Sequence, residues 1–217
     1  MCGGKRIEII ENGPYVVYGQ IPLKKETLKK GEEERSEEWE ETREYYPGAV
    51  YTLCRCGKSV DKPFCTGNHV DFDGTETAPK NSFSERAFSF HGAEGIILMQ
   101  DVSLCVRAGF CHGKDWIVDT FKDRDTIDTA LQQTYDCPGG SLLLKIDGEE
   151  REPVLEKEIS AVTVMGIVGP LWVKGGIPVV SSDGSPYEVR NRTALCRCGK
   201  SKNKPFCDSM HLRVKLS

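Results

Sequence analysis

Apolar residues in this chain alternate with polar ones over short stretches and seldom fall in helical phase. Gly13-Pro14-Tyr15-Val16-Val17-Tyr18-Gly19, followed by Ile21-Pro22, is a β-branched and aromatic run closed by turn residues, the pattern of a short strand. Gly169-Pro170-Leu171-Trp172-Val173-Lys174-Gly175, followed by Ile177-Pro178, repeats it. The two halves are expected to pack about a pseudo-two-fold axis. Between them, from about Phe83 to Val164, the pattern changes. It predicts a strand over Ile96 to Met99, a turn and short helix over Ser103 to Phe110, and an apolar strand over Trp116 to Val118. A helix capped by Asp125 follows, stopping near Asp136 because Pro138 and Gly139 come next, and Ser141 to Ile146 is a strand. The fold class expected is α+β with β predominating: a first unit over 1–80, an α+β insert over 81–164 and a second unit over 165–217.

One stretch fits neither pattern. From Lys24 to Glu44, fifteen of twenty-one residues are charged, including Glu32-Glu33-Glu34 and Glu37-Glu38. It reads as a solvated helix or loop, with an acidic docking surface as the functional alternative. Over all 217 residues, 38% are hydrophobic and 29% charged, and the net charge is −4. This suits a soluble globular protein and gives no basic face for nucleic acid. No apolar run nears the roughly 18 residues of a membrane span, and Met1 to Glu11 lacks the apolar core of a secretory signal. A cytoplasmic protein is expected. Ten cysteines in such a chain argue for metal or redox chemistry rather than disulfides; Cys2 reads as a free surface thiol.

The cysteines are themselves repeated. Cys54-Arg55-Cys56-Gly57-Lys58-Ser59 runs on to Lys62-Pro63-Phe64-Cys65 and ends at His69. Cys196-Arg197-Cys198-Gly199-Lys200-Ser201 runs on to Lys204-Pro205-Phe206-Cys207 and ends at His211. Both read C-x-C-x8-C-x3-H. C-x-C places two thiolates on a tight turn, close enough to chelate one metal ion, and the following Gly lets backbone approach. If Pro63 and Pro205 start helical turns, Cys65 and His69 share one face, as do Cys207 and His211. Two such pairs suit a two-iron cluster. A Cys3His zinc site is the rival, while a Rieske site would need two histidines on one iron.

The repeated motif resembles the CDGSH iron–sulfur domain family, whose pattern is C-x-C-x2-[S/T]-x3-P-x-C-D-G-[S/A/T]-H. Ser59, Pro63 and four ligand positions match in the first copy, and Ser201, Pro205 and four ligand positions in the second. The name-giving phrase departs in both: Cys65-Thr66-Gly67-Asn68-His69 lacks the Asp, and Cys207-Asp208-Ser209-Met210-His211 lacks the Gly. The resemblance covers about half the chain. It implies two [2Fe–2S] clusters, ligated by Cys54, Cys56, Cys65 and His69, and by Cys196, Cys198, Cys207 and His211. With three thiolates instead of four, such a cluster is less negative and easier to reduce than a plant-type ferredoxin near about −400 mV. Electron uptake beside an imidazole is expected to be proton-coupled, and protonation of the ligand to release iron.

Cys105, Cys111 and Cys137-Pro138 in the insert resemble a divergent single-cluster ferredoxin, with Ala108 where a further cysteine would stand. The resemblance implies a third, [3Fe–4S] or [4Fe–4S], cluster, with His112 the nearest candidate for a fourth ligand; a ferredoxin-like scaffold with free buried cysteines is the alternative. His91 has no partner in the sequence, Trp39 is an anchor for the charged run, and Trp116 and Trp172 are expected in the core. Lys58 and Lys200 are expected to be solvated. No nucleophile–base pair or phosphate loop is present, so the chain is expected to be a carrier of electrons or clusters, not an enzyme. Its partner would be a redox or cluster-acceptor protein, with no nucleic acid or membrane involved, and it would act as a monomer with internal pseudo-two-fold symmetry. A redox or pH sensor that docks a partner, or a structural zinc protein, are the competing readings.

Overall fold

The computed structural model describes residues 4–31, 35–164 and 166–214; Cys2 and Glu32 to Glu34 lie outside them. The strands are β1 (Arg6–Ile9), β2 (Tyr15–Tyr18), β3 (Leu23–Lys30), β4 (Ser36–Tyr45), β5 (Val50–Leu53), β6 (Phe88–His91) and β7 (Ile96–Gln100). They continue with β8 (Leu142–Ile146), β9 (Glu149–Arg151), β10 (Ile159–Val164), β11 (Ile167–Lys174), β12 (Val179–Val180) and β13 (Arg192–Leu195). Helices are few and short: α1 (Phe83–Arg86), α2 (Ile117–Thr120) and α3 (Ile127–Tyr135). The protein is β-predominant, and no helix among the described residues is long and apolar enough to cross a membrane.

The strands form three sheets. In the first, ordered β12-β1-β2-β5, period-two burial points Ile7, Ile9, Tyr15, Val17, Tyr51 and Leu53 inward, as alternating strands require. In the second, ordered β13-β11-β10-β3-β4, the interior strand β11 is buried on both faces from Gly169 onward. One apolar core, including Val17, Leu23, Leu53, Ile159, Leu171 and Leu195, joins the two sheets. Strands from either side of the insert share both: β12 lies parallel to β1, and β10 parallel to β3. Buried Lys174 on β11 ties these strands further, 2.6 Å from Glu26 on β3 and 2.8 Å from Glu158.

The charged stretch is neither helix nor loop. Its described residues pair as antiparallel β3 and β4, with Lys24 3.0 Å from Glu41 and Lys29 2.7 Å from Glu38. Opposite charges facing across strands make pairing favourable, and Leu28 lies opposite Trp39, so one face has a core to join. Trp39 does anchor it, packing 5.6 Å from both Phe110 and Trp172 and donating to the Asp136 carbonyl at 3.0 Å.

The insert's own sheet, β6-β7-β8-β9, packs against α2 and α3 through Ile96, Leu98, Ile117, Phe121, Ala130 and Leu144. β7, α3 and β8 fall where the sequence places them, although Thr126 rather than Asp125 precedes α3. Two expectations fail. Ser103 to Phe110 is no helix beyond a 3-10 turn over Val102–Leu104, because Asp101 caps that turn and Arg107 and Gly109 take left-handed backbone angles. Trp116 to Val118 is no strand: Trp116 precedes α2 and is 54% exposed, its ring edge-on to His112 at 4.8 Å. β10, at the end of the 81–164 segment, pairs with β3 and β11 and not with the insert's sheet. Arg192 on β13 welds insert to second unit. Its buried guanidinium donates to the Thr134, Cys137 and Leu142 carbonyls and pairs with Glu152 at 2.8 Å.

The two C-x-C-G turns meet back to back. A Cβ built on Gly57 would lie 2.7 Å from the Cys198 carbonyl oxygen, and one on Gly199 2.5 Å from that of Cys56. Both glycines have positive φ, +82° and +72°. Replacing Gly199 by Ala therefore adds left-handed strain of about 1–2 kcal/mol to an overpacking cost of about 1–3 kcal/mol. Gly199→Ala should lower stability by roughly 2–5 kcal/mol in denaturant unfolding; a midpoint within error of wild type would refute the contact.

Candidate metal centres

Each motif begins where a strand ends. Leu53 closes β5 and bridges to Phe64; Leu195 closes β13 and bridges to Phe206. The Cys54 N–H donates to the Pro63 carbonyl at 2.8 Å and that of Cys65 to Thr52 at 3.0 Å. In the second copy Cys196 donates to Pro205 at 2.7 Å and Cys207 to Ala194 at 2.8 Å. The strand end thus sets the first and third cysteines side by side. The shared Ser closes the loop: Ser59 Oγ donates to the Phe64 carbonyl at 2.6 Å, and Ser201 Oγ to that of Phe206 at 2.7 Å. No helix starts at Pro63 or Pro205, whose preceding peptide bonds are cis, and Cys65 and His69 are joined by a loop. A 3-10 turn over Met210–Leu212 carries His211. The loop must pass through a left-handed residue, Gly67 at φ +82° in one copy and Ser209 at +69° in the other. That explains the glycine of the general pattern; in the second copy a serine bears the conformation.

The donor atoms stand in pairs. Cys54 Sγ is 3.9 Å from Cys56 Sγ, and Cys65 Sγ is 3.5 Å from His69 Nδ1. The matching distances in the second copy are 3.7 Å for Cys196 and Cys198, and 3.4 Å for Cys207 and His211 Nδ1. A tetrahedral ion bonded to sulfur at about 2.3 Å and nitrogen at about 2.0–2.1 Å holds its ligands about 3.5–3.8 Å apart. Each pair therefore has the spacing of two ligands on one ion. Yet among the described residues no three His, Cys, Asp or Glu side chains gather closely enough for a single metal ion. Two two-donor sites side by side fit a group with two metal atoms better than a lone tetrahedral ion.

Burial governs the protonation of the donors. Burial raises the Cys56 and Cys207 thiols above their ordinary value. In the close Cys196–Cys198 pair the Cys198 thiol stabilises the Cys196 thiolate and brings it to about 6, while that thiolate pushes Cys198 up. Metal ions must displace these protons to bind. Burial, then Arg197, lowers His211 to about 4 against the opposing pull of Asp208. Neutral imidazole is the form that ligates, and its Nε2 is buried without a hydrogen-bond partner.

Sequence reasoning noted the Arg shared by both motifs but assigned it no role. Arg55 is buried, donates to the Ile10 and Gly74 carbonyls, and lies over the Phe72 ring at 5.5 Å and the Tyr15 ring at 5.7 Å. Arg197 is buried too, donating to Gly169 and Val162 at 3.0 Å each. Arg197 thus fixes its C-x-C turn to β10 and β11, Arg55 fixes the other to the segments at Ile10 and Gly74, and both set positive charge beside thiolates. The Arg between two ligand cysteines in both copies was the available signal. Tyr15 had none: its hydroxyl reaches across to the Cys196 and Pro205 carbonyls at 2.8 and 3.1 Å.

The two copies differ in access to water. Cys196, Cys198, Cys207 and His211 are all buried, whereas Cys65 and His69 are half-buried and Thr66 to Asn68 exposed. Lys58 and Lys200 are exposed, as expected, and His91 lies on the exposed strand β6. Cys105, Cys111 and Cys137 are free and half-buried, and they line one cavity of about 350 Å³ together with His112.

A family model described as the iron-binding zinc finger of CDGSH type matches residues 12–70 and 168–212. No curated protein and no solved structure matches the chain. The two matched regions enclose both sets of paired donors, so the chain carries two segments similar to the CDGSH-type iron-binding domain of iron–sulfur proteins.

Proposed function

We propose that the protein holds two [2Fe–2S] clusters, each by three cysteines and one histidine, and acts as a carrier of electrons or of whole clusters rather than as an enzyme. Cys54 and Cys56 hold one iron of the first cluster, Cys65 and His69 the other; Cys196 and Cys198, and Cys207 and His211, do the same in the second. The observation that carries this reading is the donor spacing, four pairs each at 3.4–3.9 Å without a third donor at the same point. A structural zinc ion would draw all four donors of a copy about one centre.

When bound, the cluster supplies one-electron chemistry. The chain's own groups set its terms. The imidazole makes the ligand set one unit less negative than four thiolates, and buried Arg55 and Arg197 add positive charge nearby; both favour reduction. The Lys58 N–H donates to Cys56 Sγ at 3.4 Å, and the Ser209 N–H to Cys207 Sγ at 3.4 Å, withdrawing charge from the thiolates. The more open first copy supports exchange with a redox or cluster-acceptor protein there, while the buried second copy is retained. Because one chain supplies both copies and they meet at Gly57 and Gly199, a monomer suffices.

Anaerobically purified protein should be red-brown and carry at least about four irons and four acid-labile sulfides per chain. Stoichiometric zinc, with no visible charge-transfer absorption, would overturn the reading. Replacing both histidines, His69→Cys and His211→Cys, should lower the reduction potentials toward about −400 mV, because each ligand set gains a negative charge. Potentiometric titration checks this; unchanged or higher potentials would mean that neither imidazole ligates iron.

A further inference from the structure

A cavity of about 290 Å³ opens where the β3–β4 hairpin meets β10 and β11. Lys25, Arg43, Lys62 and Arg197 bring four cations to its wall, Tyr45 and Thr163 add hydroxyls, and no Asp or Glu among the described residues lines it. Lys25 and Arg43 stand directly opposite each other in the β3–β4 register, and like charges so placed weaken a sheet. The neighbouring acids are already taken: Glu41 lies 3.0 Å from Lys24, and Glu26 2.6 Å from Lys174. Arg43 lies over the Tyr45 ring at 4.6 Å and has no carboxylate partner among the described residues; nor has Lys25. Deeper in the wall, Arg197 is 4% exposed. Buried Arg192 is neutralised by Glu152, whereas the hydrogen-bond partners of Arg197 are the uncharged Gly169 and Val162 carbonyls. A β-bulge between Ala161 and Thr163 interrupts the ladder with β11 at the same place, a break that proteins often set beside functional sites. Unmatched charge in an otherwise matched hairpin is the kind of local conflict that marks a site.

We propose that this cavity binds a small phosphorylated molecule, whose phosphate group is held by Lys25, Arg43 and Arg197. Guanidiniums present forked N–H donors that match phosphate oxygens, and a lysine adds a point charge. A phosphate monoester brings a charge of about −1.5 to −2 near pH 7, enough to relieve the facing cations where one carboxylate would not. Tyr45 is held edge-on to Phe64 at 5.6 Å, which fixes where its hydroxyl stands. Ala161 and Val168 leave part of the wall apolar for a short carbon body. The volume lies at the lower end of the roughly 300–1,000 Å³ of small-ligand sites, so the ligand is a compact phosphate and not a dinucleotide.

Lys62 belongs to the first cysteine motif and Arg197 to the second, so the cavity touches both. Arg197 stands between Cys196 and Cys198, and its charge acts also on Cys54 of the first copy. On the two-cluster reading, on which this step rests, a dianion seated against Arg197 offsets positive charge that favours reduction. Bound phosphate then lowers the reduction potential, and reduction weakens phosphate binding by the same factor.

The test uses the iron-loaded full chain at an ionic strength of about 0.1 M, where distant charges are screened. Calorimetric titration with inorganic phosphate should show one saturable site per chain. Lys25→Ala with Arg43→Ala should weaken binding at least about tenfold, the loss of one or two charge-assisted hydrogen bonds. Lys29→Ala with Lys122→Ala removes the same net charge outside the cavity and should leave binding within about twofold. Because Lys25 and Arg43 repel each other, their double variant should unfold in denaturant no earlier than wild type; Arg43→Gln alone serves as the second variant. Potentiometric titration with saturating phosphate should lower the potential of wild type and leave that of the Lys25 and Arg43 variant unmoved. No saturable binding, equal binding by wild type and the cavity variants, or tighter binding of succinate than of phosphate would overturn the site. Binding without any shift in potential would overturn the coupling. A chain that carries no iron would overturn the two-cluster reading, and calorimetry would still judge the phosphate site.

Discussion

A metal–ligand bond tolerates little error in length, so a cluster-binding protein must bring its donors to fixed separations and keep them there. In this chain the separations are set by backbone. The end of β5 or β13, the carbonyl of the following proline and a serine hydroxyl determine where the first and third cysteines of each copy lie. The sheets matter to function because they hold those strand ends, and the buried arginines matter because they lash each C-x-C turn to carbonyls of neighbouring segments. A site built on rigid elements and supported by a second layer of hydrogen bonds needs little rearrangement on binding.

The same constraint couples the two copies. Their C-x-C-G turns touch through backbone at Gly57 and Gly199, Tyr15 of the first copy holds carbonyls of the second, and the first two sheets exchange strands. Neither site has a scaffold of its own. Similar local chemistry nevertheless leaves the sites different in surroundings. The first faces water at Thr66 to Asn68; the second is covered by the loop between Cys105 and Cys111, with Trp172 beneath it. Ser209, holding a left-handed angle where the first copy has Gly67, is a local cost at that enclosed second site.

Much of this was legible from residues alone, because the repeated spacing, the shared Ser and Pro, and the upstream Gly-Pro strands are all local signals. The donors of each copy do come together in pairs, and the three insert cysteines do line one cavity. What was not legible depends on distant partners. Strand exchange between the units, the Tyr15 hydrogen bonds and the contact of the two glycine turns leave no trace in local periodicity. The stretch after Lys24 misled because its charge suggested solvation; cross-strand Lys–Glu pairs and the Leu28–Trp39 pair stabilise it as sheet instead. Trp116 misled for the opposite reason: an aromatic between apolar residues suggested a buried strand, yet its chain turns into α2 and leaves the ring outside.

The central claim is that each set of four donors holds two metal atoms, two donors to each. X-ray absorption at the iron edge addresses this directly, on the full chain carrying Cys105→Ser, Cys111→Ser and Cys137→Ser so that only the outer sites contribute. Each iron should show a second iron as a close neighbour, with sulfur dominating its nearest shell and a minor nitrogen contribution from His69 and His211. A spectrum with four light-atom and sulfur neighbours and no metal–metal scattering would mean single ions, and would contradict the account.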